Sequence, residues 1–194
     1  MRFKFLYIPV FLLFSAFGFK ADKSITVVFK TNSTLHIQGK TNVSKFSCFF
    51  DFSFMKEGVR LSYEKQEKAI IFKNAKLKIK NEGFDCGGKA INKDFHKLLK
   101  TEKYPEILMT VKKANLQHKA LDSVQTQVEF TLNNITKAYT IQNYYCIDNQ
   151  TMQFCGTVDL NIEDFELKPP KKVLGIIKVK NVITIDYNFV ASMN

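Results

Sequence analysis

The sequence predicts an all-β protein, a closed antiparallel β-barrel of about eight strands with one short helix. Two patterns lead to this prediction. Apolar and polar residues alternate with a period of two in segment after segment, as in strands with one buried face, and only one stretch has helical spacing. The chain has 194 residues, of which 45% are apolar. It can therefore bury one sizeable core but has little room for a second domain.

The alternating segments number eight or nine. The last one is typical, with Ile183, Ile185 and Tyr187 on one face and Thr184 and Asp186 on the other. Side chains of a strand point alternately to its two faces, so each segment gives one apolar and one polar face. The predicted strands cover residues 25–30, 35–38, 46–54, 69–80, 107–114, 124–132, 137–147, 152–162 and 182–190.

The helix is predicted to begin after Asn92, which is a favourable N-cap residue. Phe95, Leu98 and Leu99 have the i, i+3, i+4 spacing of an apolar helical stripe, and Pro105 prevents extension. The preceding Gly87-Gly88 pair lacks the spacing of a phosphate-binding loop and predicts a turn.

The N-terminus has the form of a secretory signal peptide. A basic start containing Arg2 and Lys4 is followed by an apolar stretch, residues 5–19, and small residues precede a predicted cleavage site after Gly18. The alternative is an uncleaved membrane anchor, but the stretch is short for a spanning helix. We therefore expect a signal peptide at residues 1–18, a barrel domain at residues 19–194, and a periplasmic or secreted bacterial envelope protein.

The chain has four cysteines. An even number in an exported protein indicates disulfide bonds, because these persist in oxidising compartments. Placing Cys146 opposite Cys155 in a hairpin puts an apolar set on the inner face and a polar set on the outer face. This register predicts the disulfides Cys146–Cys155 and, by remainder, Cys48–Cys86. Four free thiols or a metal site are the alternatives, although the spacings are wide for zinc. The inner pairs of the predicted register are Ile147–Phe154, Tyr145–Gly156, Asn143–Val158 and Ile141–Leu160, and the outer pairs are Gln142–Asp159 and Tyr144–Thr157.

The formal net charge is +11, and removal of Arg2 and Lys4 with the signal peptide lowers it by two. Most lysines alternate with apolar residues, as at Lys76, Lys78 and Lys80, which indicates the solvated face of strands. Attraction to an anionic membrane surface is the second interpretation. Nucleic acid is not expected as a partner of an exported protein, and the oligomeric state is left open by the sequence.

No constellation for chemistry stands out. The three histidines, His36, His96 and His118, are far apart in the sequence, and no serine has the context of a nucleophile elbow. We expect no catalytic residue, no metal site and no cofactor. The abundance of phenylalanine, 19 residues, fits either a filled core or a barrel lumen that holds an elongated apolar ligand.

Three motifs follow one another along the chain. They are Ser33-Thr34-Leu35-His36-Ile37-Gln38-Gly39-Lys40-Thr41-Asn42-Val43-Ser44-Lys45-Phe46-Ser47-Cys48, then Phe84-Asp85-Cys86-Gly87 with Asn92-Lys93-Asp94-Phe95, Leu98-Leu99 and Tyr104-Pro105-Glu106-Ile107, and last Phe165-Glu166-Leu167-Lys168-Pro169-Pro170 with Leu174-Gly175-Ile176-Ile177-Lys178-Val179 and Ile183. In this order the motifs resemble the exported YceI-like proteins of the Bacteroidetes type. The resemblance implies a lipocalin-like barrel whose apolar lumen holds an amphiphile with a polyisoprenoid chain, so the expected partner is an amphiphilic lipid.

Alternation also indicates which residues would contact such a ligand, although plain core packing is at least as good an interpretation for each of them. The alternative function is an envelope or stress-related interaction module with a filled core and a basic surface that binds a partner or a membrane. The lumen candidates are Phe50, Phe52, Leu77, Ile79, Met109, Val111, Val128, Phe130, Tyr145, Phe154, Val158, Ile185, Tyr187 and Phe189.

Overall fold

The computed structural model describes residues 23–116, 122–148, 151–169, 171–172 and 177–193. The signal peptide predicted at residues 1–18 lies outside the described residues. One α-helix, α1, spans Lys89–Leu98, and short 3-10 turns occur at Phe52–Phe54, Asn81–Gly83 and Ile162–Phe165. The strands are β1 (Lys23–Phe29), β2 (Thr34–Lys40), β3 (Lys45–Phe50), β4 (Val59–Lys65), β5 (Ala69–Asn74), β6 (Lys76–Lys80), β7 (Phe84–Asp85), β8 (Glu106–Asn115), β9 (Ser123–Leu132), β10 (Ile135–Asp148), β11 (Thr151–Asn161), β12 (Lys171–Lys172), β13 (Ile177–Lys178) and β14 (Val182–Met193).

The main sheet closes on itself, which confirms the predicted fold class. Its hydrogen-bonded order runs β1-β4-β5-β8-β9-β10-β11-β14, and β14 pairs again with β1. Every pairing is antiparallel. The result is an eight-stranded barrel in which each strand is paired on both sides. Closure removes the exposed edges that an open sheet would present to other chains.

Two of the predicted strands are shorter than expected, which corrects their extents. The predicted strand 46–54 ends at Phe50, before the 3-10 turn, and the predicted strand 69–80 breaks at Ala75 between β5 and β6. The two separate strands predicted at 25–30 and 35–38 correspond to β1 and β2, which lie along the same edge of β14 as two parts of one broken strand. The sequence prediction missed β4 (Val59–Lys65) altogether, although Val59, Leu61 and Tyr63 alternate there with polar residues.

A side chain completes the ladder where the first strand breaks. The Ser33 hydroxyl donates to the Val190 carbonyl at 3.0 Å and accepts from the Val190 N–H at 2.9 Å. It therefore serves both backbone groups of Val190, whose carbonyl also accepts from the Lys30 N–H at 2.8 Å. Ser33 is 6% exposed, so the Val190 N–H would otherwise be buried without a hydrogen bond.

The helix begins four residues earlier than predicted, at Lys89, with Gly88 at the N-cap. Asn92 is not the cap. Its Oδ1 accepts from the Cys86 N–H at 2.7 Å, and its Nδ2 donates to Asp85 at 2.9 Å. The side chain thus ties the helix to the strand before it. The predicted turn is present, and Gly87 has a φ of 84°, a left-handed conformation that glycine adopts without steric cost.

The disulfide Cys48–Cys86 is confirmed, whereas Cys146–Cys155 was wrong. Both Cys146 and Cys155 are free thiols, because Cys146 lies opposite Gln153 and Cys155 opposite Tyr144. The hairpin is shifted by two residues from the predicted register, since strand pairing continues to Asp148 and Thr151. A shift of two residues keeps every side chain on its predicted face, but it separates the two cysteines along the strands.

The predicted inner pairs of this hairpin were therefore wrong in register. Tyr145 lies opposite Phe154, Asn143 opposite Gly156 and Ile147 opposite Met152, and Ile147 is 58% exposed. The β10–β11 pairing ends at Asn143 and Gly156, so Ile141 does not pair with Leu160. The outer pairs Gln142–Asp159 and Tyr144–Thr157 are likewise not formed.

Candidate ligand-binding cavity

The barrel contains a cavity of about 70 Å³ with a wholly apolar lining. It has room for roughly five water molecules, but it offers no polar partner to hold them. Such a cavity favours an apolar guest. Its lining consists of Leu35, Ile37, Phe46, Ile79, Phe84, Phe95, Leu98, Leu99, Ile107, Met109, Phe130, Leu132, Val158, Leu160, Ile162, Leu167, Val179, Ile183, Ile185, Tyr187 and Phe189.

Helix α1 covers one end of the cavity. Phe95, Leu98 and Leu99, which form the apolar stripe identified in the sequence, all line it. The disulfide holds the start of this cover in place, because Cys48 belongs to β3 and Cys86 lies just before the helix. We call this the helix end of the barrel. The inward-facing residues of the strands supply most of the remaining wall.

Four phenylalanines, of which Phe189 lines the cavity, form a packed cluster in the barrel interior. Phe29 packs edge-on against Phe189 with ring centroids 5.4 Å apart, and Phe52 lies 5.9 Å from Phe189 and 5.3 Å from Phe50. Edge-to-face packing of this kind is favourable beyond the area that it buries. The barrel interior therefore has a filled part and a part with a cavity.

Six residues of the lining are partly exposed, namely Phe46, Leu98, Met109, Val179, Ile183 and Ile185. We call Phe46 of β3, Leu98 of α1 and Val179 the mouth of the cavity. Phe46 lies directly opposite Gly39, and a Cβ atom on Gly39 would overlap the phenylalanine ring. Because glycine has no side chain, the ring can lie flat over the neighbouring strand. Gly39 thus leaves the space at the mouth that the Phe46 ring occupies.

A buried polar cluster lies behind the cavity wall. The Tyr187 hydroxyl donates to Asn143 Oδ1, and Asn143 Nδ2 donates to Thr126 Oγ1 at 2.6 Å and to the Ile141 carbonyl at 3.1 Å. Gly156 makes room for this cluster, since a Cβ there would lie 2.5 Å from the Tyr187 hydroxyl oxygen. Burial, and next the nearby Cys155, raise the pKa of Tyr187 well above the usual tyrosine value. The hydroxyl therefore stays protonated and remains a donor.

Seven of the predicted lumen residues line the cavity: Ile79, Met109, Phe130, Val158, Ile185, Tyr187 and Phe189. The others do not. Phe50, Phe52, Leu77 and Val128 belong to the buried core, and Val111 packs against that core. Tyr145 and Phe154 are a half-buried, directly opposed pair in the β10–β11 hairpin.

The sequence pattern marks as buried most of the cavity residues that were absent from the predicted lumen residues. Leu35 and Ile37 alternate as the listed residues do, and Phe95, Leu98 and Leu99 form the helical stripe. Phe165 and Leu167, by contrast, lie in and after a 3-10 turn, where no period marks a buried position. They are nevertheless only 0% and 1% exposed, and Leu167 lines the cavity.

The described residues contain no group of three or more His, Cys, Asp or Glu side chains that could hold a metal ion. Within the same residues, no helix is both long enough and apolar enough to cross a membrane.

The fold and the cavity together define a class of protein, a small antiparallel barrel with an apolar interior that opens beside a covering helix. The chain belongs to the YceI-like domain family, which matches residues 19–191. A search of curated proteins finds no match.

Solved structures share the fold at low sequence identity. The structure of a polyisoprenoid-binding domain from Saccharophagus degradans, implicated in plant cell wall breakdown, has a TM-score of 0.63 at 13% identity. It covers 88% of this chain and 98% of its own. BcnA of Burkholderia cenocepacia has a TM-score of 0.56 at 16% identity, covering 82% of this chain and 96% of its own. At such identities the comparison shows a common fold.

Proposed function

We propose that this protein is a non-catalytic binding protein that holds an apolar amphiphile with an isoprenoid-like chain in its barrel. The observation that carries the proposal is the wholly apolar cavity beneath helix α1. A structural relative described as a polyisoprenoid-binding domain supports the choice of ligand class. The alternative, a module whose core is entirely filled, is disfavoured by the same cavity.

The energetics favour a chain-like ligand. Burial of each methylene contributes about 0.8 kcal/mol, so one five-carbon isoprene unit contributes about 4 kcal/mol before entropy and reorganisation are subtracted. The cavity of about 70 Å³ accommodates only a short part of such a chain. A longer chain requires movement of the flexible side chains of the wall, such as Met109 and Leu98, whose rotatable bonds permit rearrangement.

The test is native mass spectrometry of the protein after bacterial expression, followed by removal of lipid and rebinding of geranylgeraniol, with palmitate as a straight-chain comparison. We expect copurified lipid on the intact protein and stronger rebinding of the prenyl alcohol. Bare protein mass, no extractable lipid and no rebinding would refute the proposal.

Substitutions at two adjacent positions on β14 would test whether the ligand lies in the cavity. Ile185 lines the cavity, whereas the neighbouring Thr184 faces outward and donates to Asp159 at 2.6 Å. Ile185→Trp should fill the cavity and reduce rebinding at least tenfold, while Thr184→Trp should retain it. Circular dichroism checks that both variants are folded. Unchanged rebinding by folded Ile185→Trp would show that the ligand lies elsewhere.

Export to the periplasm or the exterior is part of the proposal and is supported by the form of residues 1–18. N-terminal sequencing of the protein recovered from its native host should begin at Phe19. Recovery of an intact Met1 from the cytoplasmic fraction would overturn this part alone.

A further inference from the structure

A row of lysines crosses three neighbouring segments beside the cavity mouth. Lys40 of β2 lies directly opposite Lys45 of β3. On its other side the segment around Val179 runs antiparallel, because Thr41 and Val179 form a bridge and the Lys180 N–H donates to the Lys40 carbonyl at 2.7 Å. Lys180, Lys40 and Lys45 therefore stand side by side. All three are exposed.

This row is unfavourable for the fold itself. Like charges that lie directly opposite each other in a sheet are destabilising. Among the described residues, no carboxylate lies within the 4 Å of a salt bridge from Lys40, Lys45, Lys178 or Lys180. The positive charges are thus left available to an anionic partner outside the chain.

An exposed apolar residue stands at the end of the row. Val43, at the tip of the β2–β3 hairpin, is 65% exposed. The turn that carries it is well fixed, because Thr41 Oγ1 accepts from the Val43 N–H at 3.1 Å and the Ser44 N–H at 2.8 Å. The Thr41 N–H also donates to the Ser44 carbonyl at 2.7 Å. We call Val43 with Lys40, Lys45, Lys178 and Lys180 the basic tip.

The basic tip and the cavity mouth are built from the same backbone segments. Phe46 follows Lys45, and Val179 lies between Lys178 and Lys180, so lysines face outward where the mouth residues face inward. We propose that the basic tip docks the protein onto a bilayer that contains anionic phospholipid. Lysines attract the head groups, and Val43 enters the interface between head groups and acyl chains.

Docking through the basic tip would serve ligand exchange with the membrane, and this part of the inference rests on the proposed function. A ligand with a long apolar chain is poorly soluble in water, so it must pass between cavity and membrane at close range. Docking through the basic tip brings the mouth to the bilayer surface.

Acidic residues beside the basic tip also affect the orientation of the protein on the membrane. The 3-10 turn Ile162–Phe165 carries the exposed Glu163 and Asp164, and its first N–H donates to the Asn181 carbonyl at 2.9 Å. An acidic side therefore adjoins the basic one. The protein is expected to dock at a tilt, through the basic tip, rather than with the whole end flat on the membrane.

The test is sedimentation of the protein with phosphatidylcholine vesicles, with and without roughly one third phosphatidylglycerol. We expect binding only to the anionic vesicles and release in about 1 M salt, where screening is nearly complete. The variant Lys40→Glu/Lys45→Glu/Lys180→Glu should lower the partition coefficient at least about 100-fold, at about a factor of five for each lysine removed. Val43→Ser should lower it about fivefold.

A matched control has the same change of charge at the opposite end of the barrel. Lys23, Lys65 and Lys68 are exposed there, and their triple replacement by Glu should lower partitioning far less. Equal losses from both triple variants would overturn the docking surface and indicate attraction by net charge alone. Binding to neutral vesicles, or no binding by the unaltered protein, would also overturn it.

Failure of docking and failure of the proposed function can be told apart. The triple variant of the basic tip should still rebind geranylgeraniol in solution, because the cavity wall is unchanged. Docking without any lipid in the lumen would leave the membrane surface established and refute the ligand proposal. Loss of both in a folded triple variant would show that the lysines act on the cavity rather than on the membrane.

Discussion

Removing the disulfide should destabilise the protein strongly, whereas removing the two free thiols should not. Cys48 and Cys86 are 0% and 8% exposed, and their bond closes a loop with a sequence separation of 38. The chain-entropy model assigns about 4 kcal/mol to a loop of this length. Cys146 and Cys155 are not bonded, so substituting them should change the free energy of unfolding by less than about 0.5 kcal/mol.

The measurement is urea unfolding followed by far-ultraviolet circular dichroism, on protein purified without reductant. With a slope of about 2 kcal/mol per molar urea, Cys48→Ala/Cys86→Ala should lower the midpoint by about 2 M. Cys146→Ser/Cys155→Ser is the matched control and should have the same urea midpoint as the unaltered protein. Reductant should shift the unaltered protein toward the first variant and leave that variant itself unchanged.

Two results would contradict this reasoning. Equal destabilisation by both double variants would mean that the hairpin cysteines contribute as much as the buried pair. Failure of an alkylating reagent to label Cys146 and Cys155 in the unreduced protein would mean that the thiols are not free. Either result would call for a hairpin register other than the one in which Cys146 faces Gln153.

Three further predictions concern the cavity wall. Tyr187→Phe removes the donor to Asn143, which is 1% exposed, and should lower the free energy of unfolding by about 1–3 kcal/mol in the same urea assay; no loss would mean that Asn143 finds another donor. Burial raises the pKa of Tyr187. The contribution of Tyr187 to folding stability is therefore fully present below the unfolded tyrosine pKa of about 10 and is lost as the pH rises further. Between about pH 9 and 11.5 the free energy of unfolding should fall less in Tyr187→Phe than in the unaltered protein, and an equal fall in both would assign the effect to other groups. Gly39→Ala places a Cβ against the Phe46 ring and should cost about 1–3 kcal/mol, most of it restored by Phe46→Leu in the double variant; additive losses would show that the ring is not the obstacle.

Alternation predicted the barrel well because it is a local property that survives errors of register. Val158, Tyr187 and Phe189 were assigned to the interior from their spacing alone, and all three line the cavity. The two-residue error in the β10–β11 hairpin left these assignments intact, since a shift of two returns each side chain to its own face. It misplaced what depends on exact opposition, namely the cysteine pair and the other predicted cross-strand pairs of the hairpin.

The remaining errors have a common physical cause, which is hydrogen bonding by polar side chains to groups that the sequence pattern does not identify. Asn92 is a suitable N-cap, but in the fold it bonds to Cys86 and Asp85 instead. The strand after Lys45 ends at Phe50 because Asp51 accepts from the Ser53 N–H and begins a turn. A sequence shows that such side chains can bond to the backbone but not which backbone they will reach.

The serine at the break between β1 and β2 also has a consequence for folding order. Ser33 and Val190 are 157 residues apart, and they join the first strand of the barrel to the last. The barrel cannot close until nearly the whole chain has been synthesised, so the edge of the first strand stays unpaired during that time. Assembly of the remaining strands must precede this step, and the protein is most exposed to edge-to-edge association just before β14 arrives.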